Sequence, residues 1–205
     1  MSGSKVPLRR EELDGDPVAQ LARWLEAARA AGVPEPEAAA LATATAAGEP
    51  SARMVLVKGL DELGLRFFTS YESRKGRELA ANPRAALLFH WKELGRQVRA
   101  EGPVSRLRRA ETEAYAHSRG RSSQLSALAS PQSQVVESRE WLEERVRRLD
   151  AEHAGRELPV AESWGGLLLS PVAFEFWQDG EARLHDRFRY TRRAGGGWAV
   201  ERLAP

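Results

Sequence analysis

The chain has 205 residues, of which 42% are hydrophobic and 29% charged, and its formal net charge is +2. That is enough for one globular domain with a core of its own. Cysteine is absent, which excludes disulfides, thiolate metal sites and a cysteine nucleophile, so any redox chemistry needs a cofactor. No apolar run reaches the roughly 18 residues of a membrane span, and the first residues lack the apolar stretch of a secretory signal, so a cytoplasmic, non-membrane protein is expected.

Residues 1–15 are polar and aperiodic and read as a flexible N-terminal arm, leaving 16–205 as a single domain. Asp16-Pro17 opens a helix as cap and first residue; Val18, Leu21, Trp24, Leu25 and Ala28 recur at helical spacing until Gly32. The alanine-rich stretch 35–41 predicts a short helix, followed by a strand through 42–46. Short strands are expected at 52–58, 65–70, 85–91 and 97–104, with a helix opened by Ser73 between the second and third. Helical spacing returns in 107–117 and 138–153. Strands close the chain at 166–169, 172–178, 182–191 and 198–203. Hairpin-length connections favour an α+β, mainly antiparallel barrel with flanking helices over a doubly wound sheet.

Three constellations carry chemistry. In 182–191 a period of two puts Arg183, His185, Arg187 and Arg189 on one face; the row is either a solvated sheet face or an anion site. Phe174, Phe176 and Trp177 in the preceding strand favour an aromatic anion. At Ser73-Arg74-Lys75 a helix start offers backbone N–H groups beside two cations, either a phosphate site or an exposed terminus. Tyr115 and Arg119 share a helix face, with Ser123 past the Gly120 break, and would suit a second phosphate. Lys58 emerges from an apolar strand at the rim of the core. The four histidines show no metal-ligand spacing, so no metal is expected, and mixed charges along the chain speak against nucleic acid.

Phe174-Glu-Phe-Trp-Gln178, four residues, then Arg183-Leu-His-Asp-Arg187 resembles the C-terminal signature of the pyridoxamine 5'-phosphate oxidase family, as does the ending Arg202-Leu-Ala-Pro205. Arg53 to Lys58, Phe68-Thr69, Ser73 to Lys75, Arg96 to Val98, His117 to Arg119 and Ser130 to Ser133 are similar too; Phe68 stands where many members have Tyr. The resemblance implies a split β-barrel homodimer with FMN at the subunit interface. FMN would be held by Arg53, Met54, Val55, Leu56, Lys58, Phe68, Thr69, Arg74, Lys75 and Gln97 of one subunit, and by Gln132, Ser133, Trp177 and Arg187 of the other. It further implies that Lys58, Tyr115, Arg119 and Ser123 bind the substrate phosphate, while Arg183 and His185, the catalytic candidates, lie over the pyridine ring. The implied reaction oxidises pyridoxamine or pyridoxine 5'-phosphate to pyridoxal 5'-phosphate, with O2 as the final acceptor and hydrogen peroxide as its product. The alternatives are an oxidase of this barrel acting on another aromatic substrate, such as a phenazine precursor, or a flavin- or pyridoxal-phosphate-binding protein without turnover.

Overall fold

The computed structural model describes residues 7–205. Its elements, in chain order, are α1 (Pro17–Ala30), β1 (Ala38–Ala44), β2 (Pro50–Asp61), β3 (Gly64–Ser70), α2 (Arg74–Ala81), β4 (Arg84–Trp91), β5 (Arg96–Arg106), α3 (Arg109–Ser118), α4 (Arg121–Ala129), α5 (Arg139–Glu152), β6 (Trp164–Leu169), β7 (Ala173–Gln178), β8 (Asp186–Arg192) and β9 (Trp198–Leu203). All strand pairings are antiparallel. The order β4-β1-β2-β3-β6-β5 closes on itself through a β4–β5 pairing, and β7, β8 and β9 extend from β5. The strand β5 makes both connections possible. Along one edge it pairs with β4 over Arg96 to Pro103; along the other it gives 96–101 to β7 and 104–106 to β6.

Alternation along the strands fills the barrel. Leu41, Phe67, Leu87, Phe89, Val98 and Leu169 are completely buried, and Phe174, Phe176, Phe188 and Tyr190 continue the core under the extension. The cap predicted for α1 is present: the Asp16 side chain accepts from the Val18 amide, and the helix ends before Gly32 at φ 73°.

Three expectations need correction, and one helix goes unforeseen. The helix expected at 35–41 is replaced by β1, whose Ala38 to Ala44 pair with Leu56 to Pro50 of β2. Alanine's helix propensity is a weak preference, and here small side chains let a strand sit between two neighbours. A helix over 121–129 was not expected at all. The strand expected at 182–191 begins only at Asp186, because Ala182 and Arg183 take φ values of 50° and 65° and form a tight turn. Finally, the expected flexible arm is docked from residue 7 onward; its first six residues lie outside the described ones. Leu8 and Leu13 are buried, the Leu8 amide donates to Asp186 Oδ2 at 2.9 Å, and the Tyr190 hydroxyl donates to the Asp14 carbonyl at 2.7 Å.

The helix α2 starts directly beneath the end of β3, and Gly76 makes that approach possible. A methyl there would collide with the carbonyl oxygens of Tyr71 and Ser70. Gly76→Ala is therefore expected to destabilise the protein by about 1–3 kcal/mol, lowering Tm by roughly 2–10 °C in a thermal melt. An unchanged melt would mean that the helix start relaxes freely.

Candidate functional site

A cavity of about 440 Å3 opens between the barrel and the helices, within the range of ligand pockets. On the barrel side it is lined by Arg53, Met54, Val55, Leu56 and Lys58 of β2 and by Phe68 and Thr69 of β3. The helical side supplies Lys75, Tyr115 and Arg119, with Ser126, Ser130 and Gln132 beyond them, and Trp164 closes one wall. Local geometry aims several of these groups. Val57 faces Phe67 and Gly59 faces Arg66, so Lys58 is the extra residue of a bulge, a device that redirects a side chain. The Ser73 hydroxyl accepts from the Gly76 amide and caps α2, which brings Lys75 to the cavity.

The cations in and beside the cavity divide into two kinds. Glu78 is buried and gathers Arg53, at 3.2 Å, and Arg74, at 2.8 Å. It also accepts from the hydroxyls of Thr43 at 2.5 Å and Ser51 at 2.6 Å. Burial opposes its charge, but these hydrogen bonds, from Ser51, Thr43, Arg74 and Arg53, hold its carboxyl down at about 2. Lys58 is paired with Glu37 at 3.2 Å. Lys75 and Arg119 have no such neutralisation: among the described residues neither has a carboxylate within ion-pair distance. The buried Lys75 ammonium donates only to neutral oxygens, Thr69 Oγ1 at 3.1 Å, Ser73 Oγ at 3.4 Å and Gln132 Oε1 at 2.8 Å. Burial pushes its pKa down to about 8, and the neighbouring Arg53 charge adds to the drop. A buried cation without an anion is costly, and a phosphate in the cavity would supply one.

Beside these cations the lining is aromatic. The rings of Phe68 and Tyr115 stack 3.7 Å apart at 16°, and Trp164 lies 5.7 Å from Phe68 and nearly parallel. The Arg119 guanidinium sits 5.1 Å from the Trp164 ring centre. Trp164 was not singled out from sequence; the Trp-Gly-Gly opening of β6 was the available signal. Gly166, two residues on, admits the side chains of Leu107 and Phe68 close to its Cα.

Other expected site residues lie elsewhere. Ser123 is exposed on α4, and Ser126 takes the place expected of it in the lining. Ser133, at φ 70°, is exposed past Gln132 and outside the lining. Gln132, expected from a partner subunit, accepts within the same chain from Thr69 Oγ1 at 2.8 Å and from Lys75. Gln97 faces Trp177 across β5 and β7 rather than the cavity.

Trp177, Arg183, His185 and Arg187 form a second group on the extension. The row of four cations expected on one face does not persist. Arg187 is held by the buried Glu175 at 2.9 Å and Arg189 by Glu201 at 2.8 Å. Phe174 and Phe176 belong to the core, leaving Trp177 half-buried with its ring 4.7 Å from His185. His185 Nδ1 lies 3.2 Å from the Gly180 amide and 3.1 Å from Asp179 Oδ1. Unprotonated it accepts from the amide; protonated it donates to the carboxylate. A cavity of about 430 Å3 opens here, lined by Leu184, His185, Asp186 and the C-terminal residues 202–205.

Residues 25–152 match the family model described as pyridoxamine 5'-phosphate oxidase. The chain belongs to the pyridoxamine 5'-phosphate oxidase family. Residues 164–205 match the pyridoxine 5'-phosphate oxidase C-terminal dimerisation region, so the second group of side chains falls inside a dimerisation region. Relatives within the family include pyridoxine/pyridoxamine 5'-phosphate oxidases of Cupriavidus pinatubonensis, 51% identical over 97% of this chain and 93% of that protein, and of Rubrobacter xylanophilus, 50% identical over 98% and 93%. Among solved structures, PhzG from Burkholderia lata, in complex with tetrahydrophenazine-1-carboxylic acid, superposes with a TM-score of 0.92 at 35% identity, covering 99% of this chain and all of that one. A pyridoxamine 5'-phosphate oxidase-related, FMN-binding protein of Nostoc punctiforme, 19% identical with a TM-score of 0.73 over 98% of this chain and all of that one, shares the split-barrel fold expected from the sequence.

Proposed function

We propose that this chain is an FMN-dependent oxidase that converts pyridoxamine or pyridoxine 5'-phosphate to pyridoxal 5'-phosphate. One observation carries the reading: Lys75 and Arg119, two cations with no carboxylate partner among the described residues, face one cavity beside a group of stacked aromatic rings. A flavin and a pyridine, each carrying a phosphate, would answer both charges and the rings. Lys75, the amide groups at the start of α2 and Arg74 would hold the phosphate of FMN. Arg119, Lys58 and the Tyr115 hydroxyl would hold the phosphate of the substrate, with Lys58 exchanging Glu37 for it. The chemistry supplied by bound FMN is acceptance of a hydride from the substrate C4' carbon, with reoxidation by O2 to hydrogen peroxide.

The protein's part is position and charge. We infer that two protomers build each site, with Arg183 and His185 of the second covering the pyridine ring and Trp177 and Arg187 reaching the flavin. The match of residues 164–205 to a dimerisation region supports this. So does the exposure of Met54 and Leu184, large apolar side chains that a partner would cover. Glu175 would keep Arg187 aimed, since one buried carboxylate holds both Arg187 and Arg99.

The test is anaerobic mixing of FMN-loaded protein with pyridoxine 5'-phosphate, which is expected to bleach the flavin. Bleaching by a dihydrophenazine carboxylate but not by the phosphorylated vitamer would sink the substrate assignment. Arg183→Ala is expected to lower turnover by about tenfold or more while retaining FMN, and Arg74→Ala to weaken FMN binding more than turnover of the loaded enzyme. Equal losses on both readouts in both variants would contradict the division of roles.

A further inference from the structure

We propose that Glu78 is a positioning residue for the phosphate end of the cavity, fixing Arg53 and Arg74 and setting the charge that this cluster presents, with Lys75, to a phosphate monoester. The inference rests on the reading of this cavity as the FMN site. It concerns a side chain that neither touches the cavity surface nor belongs to any motif read from the sequence.

The geometry is specific. Glu78 lies on the turn of α2 that follows Arg74, and its two oxygens divide the work. Oε1 receives Arg74 Nε at 2.8 Å, while Oε2 receives Arg53 Nη2, Thr43 Oγ1 and Ser51 Oγ. The Arg53 guanidinium is further tied to the Ser51 hydroxyl and the Leu41 carbonyl. One carboxylate thus joins β1, β2 and α2 beside Arg53 and Lys75 of the cavity lining. Three cations, Arg53, Arg74 and Lys75, against one carboxylate leave about two positive charges, which matches the charge of about −1.5 to −2 on a phosphate monoester near neutral pH.

The carboxylate also bears on Lys75. That ammonium faces Thr69 and Ser70 of β3, Ser73 of its own helix and Gln132 of the loop after α4. The same cavity is lined by Arg53 and Lys58 of β2 and by Tyr115 and Arg119 at the end of α3. Arg53 depresses Lys75, and Glu78 is the counter-charge of Arg53. Without it the field of Arg53 would be unopposed, and Lys75 would lose its proton at a lower pH. A phosphate site built on a protonated Lys75 would then fail sooner as pH rises.

The experiment measures Kd for FMN and for riboflavin by flavin fluorescence, using flavin-free wild type, Glu78→Gln and Glu78→Asp, between about pH 6 and 10. Wild type is expected to prefer FMN, with affinity falling as pH rises past about 8. Glu78→Gln is expected to move that midpoint down by about one unit, which weakens FMN close to tenfold at about pH 8.5 and leaves riboflavin unchanged. Glu78→Asp keeps the charge but not the reach, so its midpoint stays with wild type while FMN affinity falls at every pH. Should Glu78→Gln not fold, Glu78→Asp carries the test by its selective loss of FMN affinity. Wild-type FMN affinity and midpoint in the folded variants, or equal weakening of both flavins, overturns the proposal. A wild type that holds riboflavin as tightly as FMN overturns the FMN reading itself, and the proposal with it.

Discussion

Lys75→Met is expected to raise Kd for FMN about 10- to 100-fold at neutral pH and, without flavin, to raise Tm. The first effect is the loss of a charge-assisted contact to phosphate, worth about 1.5–3 kcal/mol. The second follows from the position of the ammonium. It is buried among neutral oxygens, and its pKa in the fold, about 8, lies below the ordinary 10.5. A group with a depressed pKa contributes stability that is present above its unfolded value and lost as pH falls through its folded value. At pH 7 the folded wild type therefore bears the whole cost of charging Lys75, and near pH 10.5 it bears none. Methionine fills similar space without a charge, and Thr69 can still donate to Gln132. The gain in Tm should thus be largest at neutral pH and vanish as pH approaches 10.5. Fluorescence titration and melts across pH check both halves. A variant that loses stability and FMN together would indicate a packing role and no phosphate site.

What the sequence reveals here depends on how local the cause is. The caps at Asp16 and Ser73 and the short strands β2 to β5, set off by turn residues, are determined by neighbours in the chain, and they were readable. So were most of the cavity-lining residues, because the resemblance carried them as contiguous segments. The alanine run before Thr43 was misread, since its conformation is decided by pairing to β2 and β4, distant in sequence. The break at Ala182 and Arg183 was invisible for a different reason: a period of two cannot register two residues in the left-handed region. Glu78 and Glu175 looked like ordinary members of a charged surface. Their importance lies in burial and in contacts with residues 12 to 76 positions away, and neither feature has a local signature. The same holds for Gln132, whose reach to Lys75 across 57 positions no spacing argument would have found.

Arg119→Met separates the phosphate that defines the substrate from the phosphate of the flavin. The guanidinium lies at the end of α3, half-buried over Trp164 and with no carboxylate in ion-pair distance among the described residues. Methionine would retain apolar contact with that ring, so the aromatic wall should survive the change. Losing a charged contact to the substrate phosphate costs about 1.5–3 kcal/mol, which predicts a 10- to 100-fold rise in KM for pyridoxine 5'-phosphate with a smaller change in kcat. Kd for FMN should hardly move, because Lys75 and the start of α2 are untouched. Unphosphorylated pyridoxine, with no phosphate to lose, should be oxidised as poorly by the variant as by wild type. Steady-state kinetics on the two alcohols therefore decides the assignment: the ratio of kcat/KM between them should collapse toward that of a site blind to phosphate. An equal loss on both alcohols would assign Arg119 to the support of Trp164 and leave the substrate phosphate to Lys58 and Tyr115.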